Sequence, residues 1–350
     1  MQALVSGQKA VDDSEMIYYR PVLSLPQDAA PDCAGFAATA LRITAVEKIE
    51  RGHPSKLIPY DDVPRSIRQN WATPRHISGE MVTDMQVMAV LNVTPDSFSD
   101  GGVHHQGPAL RARVAQIAQS GARLIDIGGE STRPGSVTVP ADEEITRVQE
   151  AITLAAQHRD LVISLDTRKA AVAQRGLDLG VHVINDVSGF IYDAALAPLV
   201  AQRGVPVCIM HAQGDPQTMQ DNPRYENVLL DVYDFLEQRI AALVEMGVAR
   251  GDIIIDPGIG FGKTQEHNLA LLHRLSLFHS LGVSVLLGVS RKRFIGTIGG
   301  AQVAADRMPG SVAVGLFAAA QGVQVLRVHD VDETMQALRL WQAMHASERT

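Results

Sequence analysis

The stretch "MGVARGDIIIDPGIGFGKT", residues 246–264, holds one unit of a pattern that recurs along the chain. A helical segment ends at Gly247, which suits the left-handed cap that glycine commonly forms after a helix. Residues 253–255 are three isoleucines, typical of a short buried strand, and Asp256 begins a polar stretch directly after them. The stretch therefore predicts a helix end, a buried strand and a polar loop in succession.

The same succession of a short apolar run and a helical stretch occurs eight times from residue 87 onward. The predicted strands are 87–91, 124–127, 162–165, 181–184, 207–210, 253–255, 283–289 and 323–328. Apolar residues at three- and four-residue spacing predict amphipathic helices between them, the clearest at 110–120, 143–157, 229–246 and 310–321. This alternation predicts an α/β fold with a parallel sheet.

Eight β/α units in about 260 residues match the size of a (β/α)8 TIM barrel. Alternation alone also allows an open, doubly wound sheet, and the number of units favours the barrel. Residues 1–80 do not follow the pattern, because they carry scattered prolines and short possible strands such as 41–46. We therefore predict an amino-terminal extension over 1–80 and a barrel over 81–350.

Composition limits the classes of function. The chain of 350 residues is 46% hydrophobic and 20% charged, which is enough apolar material for a large core and too little charge for disorder. The net charge of −8 argues against a broadly basic nucleic-acid surface, and neither a signal peptide nor a long apolar run is visible. Cys33 and Cys208 lack metal-ligand spacing. These features predict a cytoplasmic protein without nucleic-acid or membrane partners.

Polar residues follow every predicted strand, at the end of the barrel where catalytic groups of this fold lie. The residues at or just after these strand ends include Asn92, Asp126, Asp166, Asn185, Met210, Asp256, Ser290 and Arg327. A single Asp or Asn after a strand is often only a helix cap or turn residue. A whole rim of Arg, Lys, His, Asp and Asn exceeds what caps require, so we predict an active site there.

Two groups within this rim suggest different chemistry. Arg327 and His329 are two residues apart and would face the same way on a strand, which suits a phosphate or diphosphate; a surface Arg and a core His are the alternative. Short acceptor side chains close three other strands at Asp166, Asn185 and Asp256. They favour recognition of the N–H donors of a flat heterocycle over a metal site, because no His or Cys accompanies them at ligand spacing.

The stretch "PGIGFGKT", residues 257–264, resembles a nucleotide phosphate loop but has Pro257 at the first glycine position. We interpret it instead as a tight loop that lets Phe261 and Lys263 approach the mouth of the barrel.

Long motifs in this order resemble the dihydropteroate synthase family of bacterial folate biosynthesis, over about residues 85–345. They are "NVTPDSFSDGG" (92–102), "GGESTRPGS" (128–136), "SLDT" (164–167), "NDVSG" (185–189), "MHAQGDPQTMQ" (210–220), "DPGIGFGK" (256–263), "GVSRKRFIG" (288–296) and "RVHDV" (327–331). The resemblance implies a transferase that joins 4-aminobenzoate to (7,8-dihydropterin-6-yl)methyl diphosphate, giving 7,8-dihydropteroate and diphosphate. It also implies Mg²⁺ as cofactor, inhibition by sulfonamides at the aminobenzoate place and a homodimer.

The resemblance also implies roles for individual residues. The pterin ring would be held by Asp166, Asn185, Asp256 and Lys292, and Met210 and Phe261 would also be substrate-binding residues. The diphosphate would be gripped by Thr132, Arg133, Arg327 and His329, with Mg²⁺ on Asn92. Ser290 would face the carboxylate of the aminobenzoate, while Phe98 and Pro134 would close over its ring. Asn92, Thr132, Arg133, Lys292, Arg327 and His329 would be the catalytic residues.

Departures from the family pattern are small apart from the extension: Ala212 stands where Met is frequent, and Asp215 where Thr is common. With diphosphate as leaving group we expect a dissociative, SN1-like substitution, in which Arg327→Ala lowers turnover more than pterin binding. A pterin-binding methyltransferase barrel would share the acceptor rim but lack the STRPG loop. A non-catalytic pterin-binding barrel would be expected to lack Asn92, Thr132, Arg327 or Lys292, and all four are present.

Overall fold

The computed structural model describes residues 16–94, 107–131, 135–214 and 218–346. The strands of the amino-terminal part are β1 (Ile17–Ser24), β2 (Ala34–Gly35), β3 (Arg42–Glu50), β4 (Lys56–Ile58), β5 (Arg75–Ile77) and β6 (Glu80–Val82). The later strands are β7 (Gln86–Asn92), β8 (Leu124–Gly128), β9 (Val162–Asp166), β10 (Val183–Asp186), β11 (Val207–Met210), β12 (Ile253–Asp256), β13 (Ser284–Gly288) and β14 (Val325–Val328). The helices are α1 (Arg65–Ala72), α2 (Gly107–Ser120), α3 (Ala141–Ala155), α4 (Ala170–Asp178), α5 (Leu196–Arg203), α6 (Val228–Glu245), α7 (Gln265–His273), α8 (Arg293–Gly299), α9 (Met308–Ala320) and α10 (Val331–Ala346).

Strands β7 to β14 close into a barrel of eight parallel strands, with β14 pairing back to β7. The predicted (β/α)8 barrel is therefore confirmed, and the open sheet is excluded. Two strands begin two residues later than predicted, at Val183 and Val325. The reason is local: the amides of Val181 and Val323 donate to Gly176 and Ala318, so both valines still belong to the turns that end helices.

Alternate residues of each barrel strand point to opposite sides. Ile253 and Ile255 join the large core between the strands and the surrounding helices. Ile254 instead points into the barrel with Met88, Leu124, Cys208, Leu286 and Val325. In the part of the chain that the structure describes, none of the helices combines the length and the apolar character that a membrane span requires.

The amino-terminal part forms two small structures on the barrel. Strands β1, β3, β2 and β4 make an antiparallel sheet, in which β3 includes residues 42–46 of the strand predicted at 41–46. Phe36, Val46 and Trp71 form the centre of its own apolar core. The β5–β6 hairpin inserts Ile77 and Val82 against the apolar residues that fill the barrel, at the amino-terminal ends of the strands.

Candidate active site

Strand register brings several predicted residues to one level inside the barrel. Asn92 pairs with Gly128, Gly128 with Asp166, and Asp166 with Asn185 on the next strand along. A Cβ atom on Gly128 would lie 3.5 Å from both Asn92 Oδ1 and Asp166 Cβ, so the glycine sits directly between these two side chains. On the other side of the barrel, the same position on Gly288 would lie 3.5 Å from Asp256 Oδ2. Glycines thus leave room for the polar groups to face the barrel axis.

A carboxylate to which we had assigned no role, Asp126, lies two residues before Gly128 on β8 and contacts this polar layer. It is fully buried, and its Oδ2 accepts hydrogen bonds from Arg327 Nε at 2.7 Å and Asn185 Nδ2 at 3.1 Å. Ser164 Oγ donates to the other oxygen at 2.6 Å. The sequence did carry a signal, because Asp126 is the one charged residue of an apolar strand and shares the inward side with Leu124.

Arg327 joins two of the buried carboxylates. Besides its bond to Asp126, its Nη2 lies 2.9 Å from Asp166 Oδ2, and its side chain keeps 22% exposure. Burial disfavours the guanidinium charge, but Asp126 and Asp166 hold the pKa of Arg327 above its ordinary value. Arg327, which we predicted to bind the diphosphate, is therefore also the counterion of buried carboxylates inside the barrel. We refer to Asp126, Asp166 and Asp256 together as the inner carboxylates.

Asp166 has unused acceptor capacity. Its Oδ1 is buried and has no hydrogen-bond partner among the described residues. Burial raises the pKa of Asp166, Arg327 opposes that shift, and the neighbouring charge of Asp126 adds to it. Because buried polar atoms in native proteins are nearly always satisfied, this oxygen is suited to receive an N–H group from a ligand.

Asp256, Phe261 and Lys292 lie together on the opposite side of the barrel. Asp256 Oδ1 accepts from the Gly258 amide at 2.7 Å, and burial raises the pKa of this carboxyl while Lys292 opposes the shift. Lys292 Nζ is 4.1 Å from the centre of the Phe261 ring, a cation–π arrangement. Met210 pairs with Asp256 in the sheet and borders the same loop. The structure thus places Asp256 and Lys292, both predicted to hold the pterin ring, beside Phe261 and Met210, which were predicted to bind substrate.

Lys263 does not approach the mouth, contrary to our interpretation of its loop. Its side chain is buried, and Nζ contacts His211 Nδ1 at 2.8 Å and the carbonyl oxygens of Gly258 at 2.9 Å and Phe261 at 3.1 Å. It also donates to the His211 carbonyl at 3.2 Å. Sequence reasoning missed this inward turn because it depends on acceptors from two separate strand exits. Lys263 fastens the loop of residues 258–263 to the residue that follows β11.

Lys263→Met is expected to lower the free energy of unfolding by about 2 to 4 kcal/mol, because it leaves several buried acceptors without a donor. Urea unfolding measures the loss, with exposed Lys56→Met as the control. Burial also lowers the pKa of Lys263 from 10.5 to about 7. Between these two pH values the unfolded state binds more protons than the folded state, so Lys263 should make the free energy of unfolding of the wild type rise with pH. Lys263→Met should lack this rise. An unchanged urea midpoint would contradict the assignment.

Ser290 and His329 contact each other near the ends of β13 and β14. Ser290 Oγ accepts from the His329 amide at 3.1 Å and lies 3.1 Å from His329 Nδ1. The next residues along also pair, since Arg291 Nε donates to Asp330 Oδ2 at 3.0 Å. The two loops that were predicted to meet the aminobenzoate and the diphosphate are therefore tied side by side.

Phe98, Thr132, Arg133 and Pro134 lie outside the described residues. Both ends of the loop that contains residues 132–134 are described, and Glu130 joins them by accepting from the Val139 amide at 2.8 Å. Arg168 and Lys169 pair with the same carboxylate at 2.9 and 2.5 Å. Although burial opposes it, Lys169 and the other donors lower the pKa of Glu130. This buried ionic group was not predicted from the sequence.

Residues 88–329, more than half of the chain, match the pterin binding enzyme family. The dihydropteroate synthase of Escherichia coli K12 is 42% identical over 257 residues, which cover 73% of this chain and 90% of that protein. The enzyme of Neisseria meningitidis serogroup B is 43% identical over 264 residues, 74% of this chain and 92% of its own. The chain belongs to the dihydropteroate synthase family. In this chain, the contacts of Asp126 and Lys263 became evident only from the structure.

Solved structures of the family share the barrel. The Yersinia pestis dihydropteroate synthase, determined with a sulfonamide drug complex, is 42% identical, has a TM-score of 0.72 and covers 78% of this chain and 98% of its own. The Xanthomonas albilineans enzyme in complex with 7,8-dihydropteroate is 40% identical, with a TM-score of 0.69 over 77% of this chain and 97% of its own. The same enzyme with 4-aminobenzoic acid has a TM-score of 0.70. In each case nearly the whole solved chain is matched, whereas about three quarters of this chain is covered.

Proposed function

We propose that this family member condenses 4-aminobenzoate with (7,8-dihydropterin-6-yl)methyl diphosphate, with the pterin ring held inside the barrel between Asp166 and Asp256. The observation that carries the proposal is the buried Asp166 Oδ1, which has no partner among the described residues and can accept an N–H of the ring. Relatives that bind 4-aminobenzoic acid and 7,8-dihydropteroate support the same pair of substrates.

The other proposed ring contacts follow from the side chains around Asp256. Lys292 can donate to an acceptor of the ring, while Phe261 and Met210 supply apolar surface, and Asn185 can offer its amide oxygen because its Nδ2 is used by Asp126. Flat heterocycles are recognised by such a combination of apolar walls and a few directed polar groups. The inner carboxylates would therefore orient the ring so that its methylene points toward the mouth.

We assign the diphosphate to the outer part of the site, with Arg327, His329 and Asn92, and with Thr132 and Arg133 from the loop at 132–134. Preorganised positive groups favour the negative charge that develops on the leaving diphosphate. Electron density from the ring can meanwhile stabilise the positive charge left on the methylene. The carboxylates that face the ring favour this dissociative route, since they stabilise a ring that becomes more positive.

A magnesium ion fits the residues as part of the diphosphate site. The described residues contain no group of three or more His, Cys, Asp or Glu side chains that could hold a metal. Mg²⁺ usually keeps several waters and binds through one or two carboxylates together with substrate phosphates. We propose that the Asn92 amide oxygen is the protein ligand here and that the diphosphate supplies the charged oxygens. When bound, the ion would neutralise charge on the departing diphosphate.

The arylamine of 4-aminobenzoate is neutral near pH 7, so its placement against the methylene matters more than its activation. We place its carboxylate near Ser290 and its ring under Phe98 and Pro134, which is also where a sulfonamide would compete. A loop closing over this ring would keep water from the cationic methylene.

One assay tests the proposed function: purified protein with both substrates and Mg²⁺, monitored for release of diphosphate and formation of 7,8-dihydropteroate. Both products should appear in equal amounts. Without 4-aminobenzoate no 7,8-dihydropteroate should form, because nothing is present to accept the pterin methylene group. A folded protein that binds the pterin diphosphate but forms no dihydropteroate would contradict the proposal.

We also propose a homodimer that forms through α9 and α10. Pro309, Ala313 and Phe317 recur at four-residue spacing on α9 and are all exposed, and Leu340 is 61% exposed on the adjacent α10. An exposed apolar surface of this kind marks an association site, and a two-fold axis would bring it against its own copy.

A cytoplasmic location is proposed as well, in keeping with two free cysteines.

Phe317→Glu is expected to convert the dimer to a monomer, because the new carboxylates would be buried opposite each other across the two-fold axis. Sedimentation velocity on wild type and variant gives the mass directly. Leu57→Glu is the matched control, since Leu57 is 71% exposed on β4 of the amino-terminal sheet rather than on α9 or α10. A monomeric wild type, or a dimeric Phe317→Glu, would refute the interface.

A further inference from the structure

The amino-terminal extension is attached to the barrel by buried, directed contacts. Trp71 is fully buried, and its Nε1 donates to Ser280 Oγ at 2.9 Å. Asn70 Nδ2 donates to the Ser280 carbonyl at 2.8 Å, and Phe36 packs against the ring of His279. These contacts fix the extension on the segment Leu275–Leu281, which leads into β13. The described part of the extension, residues 16–80, is thus held firmly against the barrel.

The extension also reaches α6, the helix that follows the long loop after β11. Arg51, just beyond β3, pairs with Asp231 at 2.7 Å and with Asp234 at 2.5 Å. Tyr18 of β1 donates to Asp234 at 2.9 Å, and its ring meets that of Tyr233 edge-on at 5.3 Å. The two carboxylates lie in the first two turns of α6, where they also complement the positive end of the helix.

Asp231 is shared between the extension and the chain that enters α6. While its Oδ1 faces Arg51, its Oδ2 accepts from the amides of Glu226 at 3.0 Å and Asn227 at 3.1 Å. Asn227 in turn caps the helix by accepting from the Leu230 amide. Arg51 therefore fixes the rotamer of the carboxylate that holds residues 226 and 227.

The residue before this pair contacts the wall of the pterin site. Tyr225 donates through its hydroxyl to the Gly262 carbonyl at 2.7 Å, and its ring meets His267 edge-on at 5.0 Å. Gly262 lies between Phe261 and Lys263, in the loop of residues 258–263 described above. A continuous set of contacts thus runs from Arg51 through Asp231 and residues 225–227 to the loop that carries Phe261.

We propose that Arg51 is a positioning residue of the active site: by fixing Asp231, the extension holds Tyr225 and with it the 258–263 loop in the conformation that receives the pterin ring. The proposal rests on the proposed function for the identity of that ring. It assigns a task to a part of the chain that lies largely outside the match to the pterin binding enzyme family, which begins at residue 88.

Arg51→Gln tests the first half of the proposal without substrate. The amides of Glu226 and Asn227 should exchange with deuterium about 5-fold faster, because Asp231 loses the partner that fixes it. Arg68→Gln is the matched control, since Arg68 pairs with Asp61 inside the extension at 3.0 Å. Arg51→Lys keeps the charge and should fall between wild type and Arg51→Gln, and it keeps the test available if the Gln variant does not fold. Unchanged exchange in both Arg51 variants would overturn the proposal.

Steady-state kinetics test the second half. KM for the pterin diphosphate should rise about 3- to 10-fold in Arg51→Gln, with kcat changed less than about 2-fold, because the loop is displaced while the groups at the reacting bond remain. Faster exchange with an unchanged KM would overturn the positioning role. If wild type forms no dihydropteroate, the proposed function fails, whereas the exchange result still decides whether Arg51 holds residues 226 and 227.

Discussion

Asp166→Asn is expected to lower kcat/KM for the pterin diphosphate by about 100- to 1000-fold, because a buried charged acceptor is replaced by an amide that cannot accept at both positions. Asp166 already accepts from Arg327 through one oxygen, and its other oxygen is buried without a partner in the part of the chain that the structure describes. An amide there either loses the bond to the ring or turns its own N–H toward Arg327. The loss should appear in steady-state kinetics and in direct titration with the pterin diphosphate.

Asp160→Asn is the matched control, because Asp160 is exposed just before β9, the strand that ends at Asp166. The pH profile supplies a second readout. Burial raises the pKa of Asp166 above 3.8, and only the ionised form accepts fully, so wild-type kcat/KM should fall as the pH drops through that raised pKa. The Asn variant should lack this acidic limb. Comparable activity of Asp166→Asn and Asp160→Asn would contradict the proposed ring contact.

Arg327→Ala should destabilise the protein as well as impair the reaction. The substitution leaves the fully buried Asp126 without its guanidinium partner and exposes Asp166 to that charge, at a cost of about 2 to 4 kcal/mol in the free energy of unfolding. Pterin binding should weaken too, because Asp166 loses the counterion that keeps it ionised. A loss of pterin binding is therefore expected in addition to the larger loss of turnover that we predict from the sequence.

A second substitution separates the electrostatic effect from the lost volume. Adding Asp126→Asn to Arg327→Ala removes the uncompensated charge, so urea unfolding should show that the double variant regains part of the lost stability while turnover stays low. A double variant that is less stable than Arg327→Ala would show that Asp126 is not the charge that Arg327 stabilises. Calorimetric titration with the pterin diphosphate measures binding in the same set of variants.

The barrel could be predicted from local pattern because each unit carries its own signal: an apolar run, a helix of the right period and a glycine at the turn. The position of Asp166, Asn185 and Asp256 at one end of the barrel could be predicted for a similar reason, since parallel strands bring their carboxyl ends together. The task of Asp126 could not, because it depends on Arg327, which lies 201 residues further along. The inward orientation of Lys263 could not be predicted for the same reason, because its partner His211 lies 52 residues away.

The contacts of the extension were equally inaccessible to sequence reasoning. Arg51 and Asp231 are 180 residues apart, and charged residues near the end of a strand and the start of a helix are ordinary surface features by themselves. Arg51 and Asp231 come into contact only because the amino-terminal sheet packs on the barrel. That packing depends on the combined shape of Trp71, Phe36 and the segment Leu275–Leu281.

The hairpin of β5 and β6 gives the barrel a floor, and this has a kinetic consequence. Ile77 and Val82 cover the apolar residues at the amino-terminal end of the described barrel, while Asp166 and Asp256 stand deeper than Ser290 and His329 relative to the mouth. In the proposed arrangement the pterin ring lies below the position of 4-aminobenzoate. We therefore predict that the pterin binds first, and that a sulfonamide at the outer position slows release of the pterin as well as excluding the aminobenzoate.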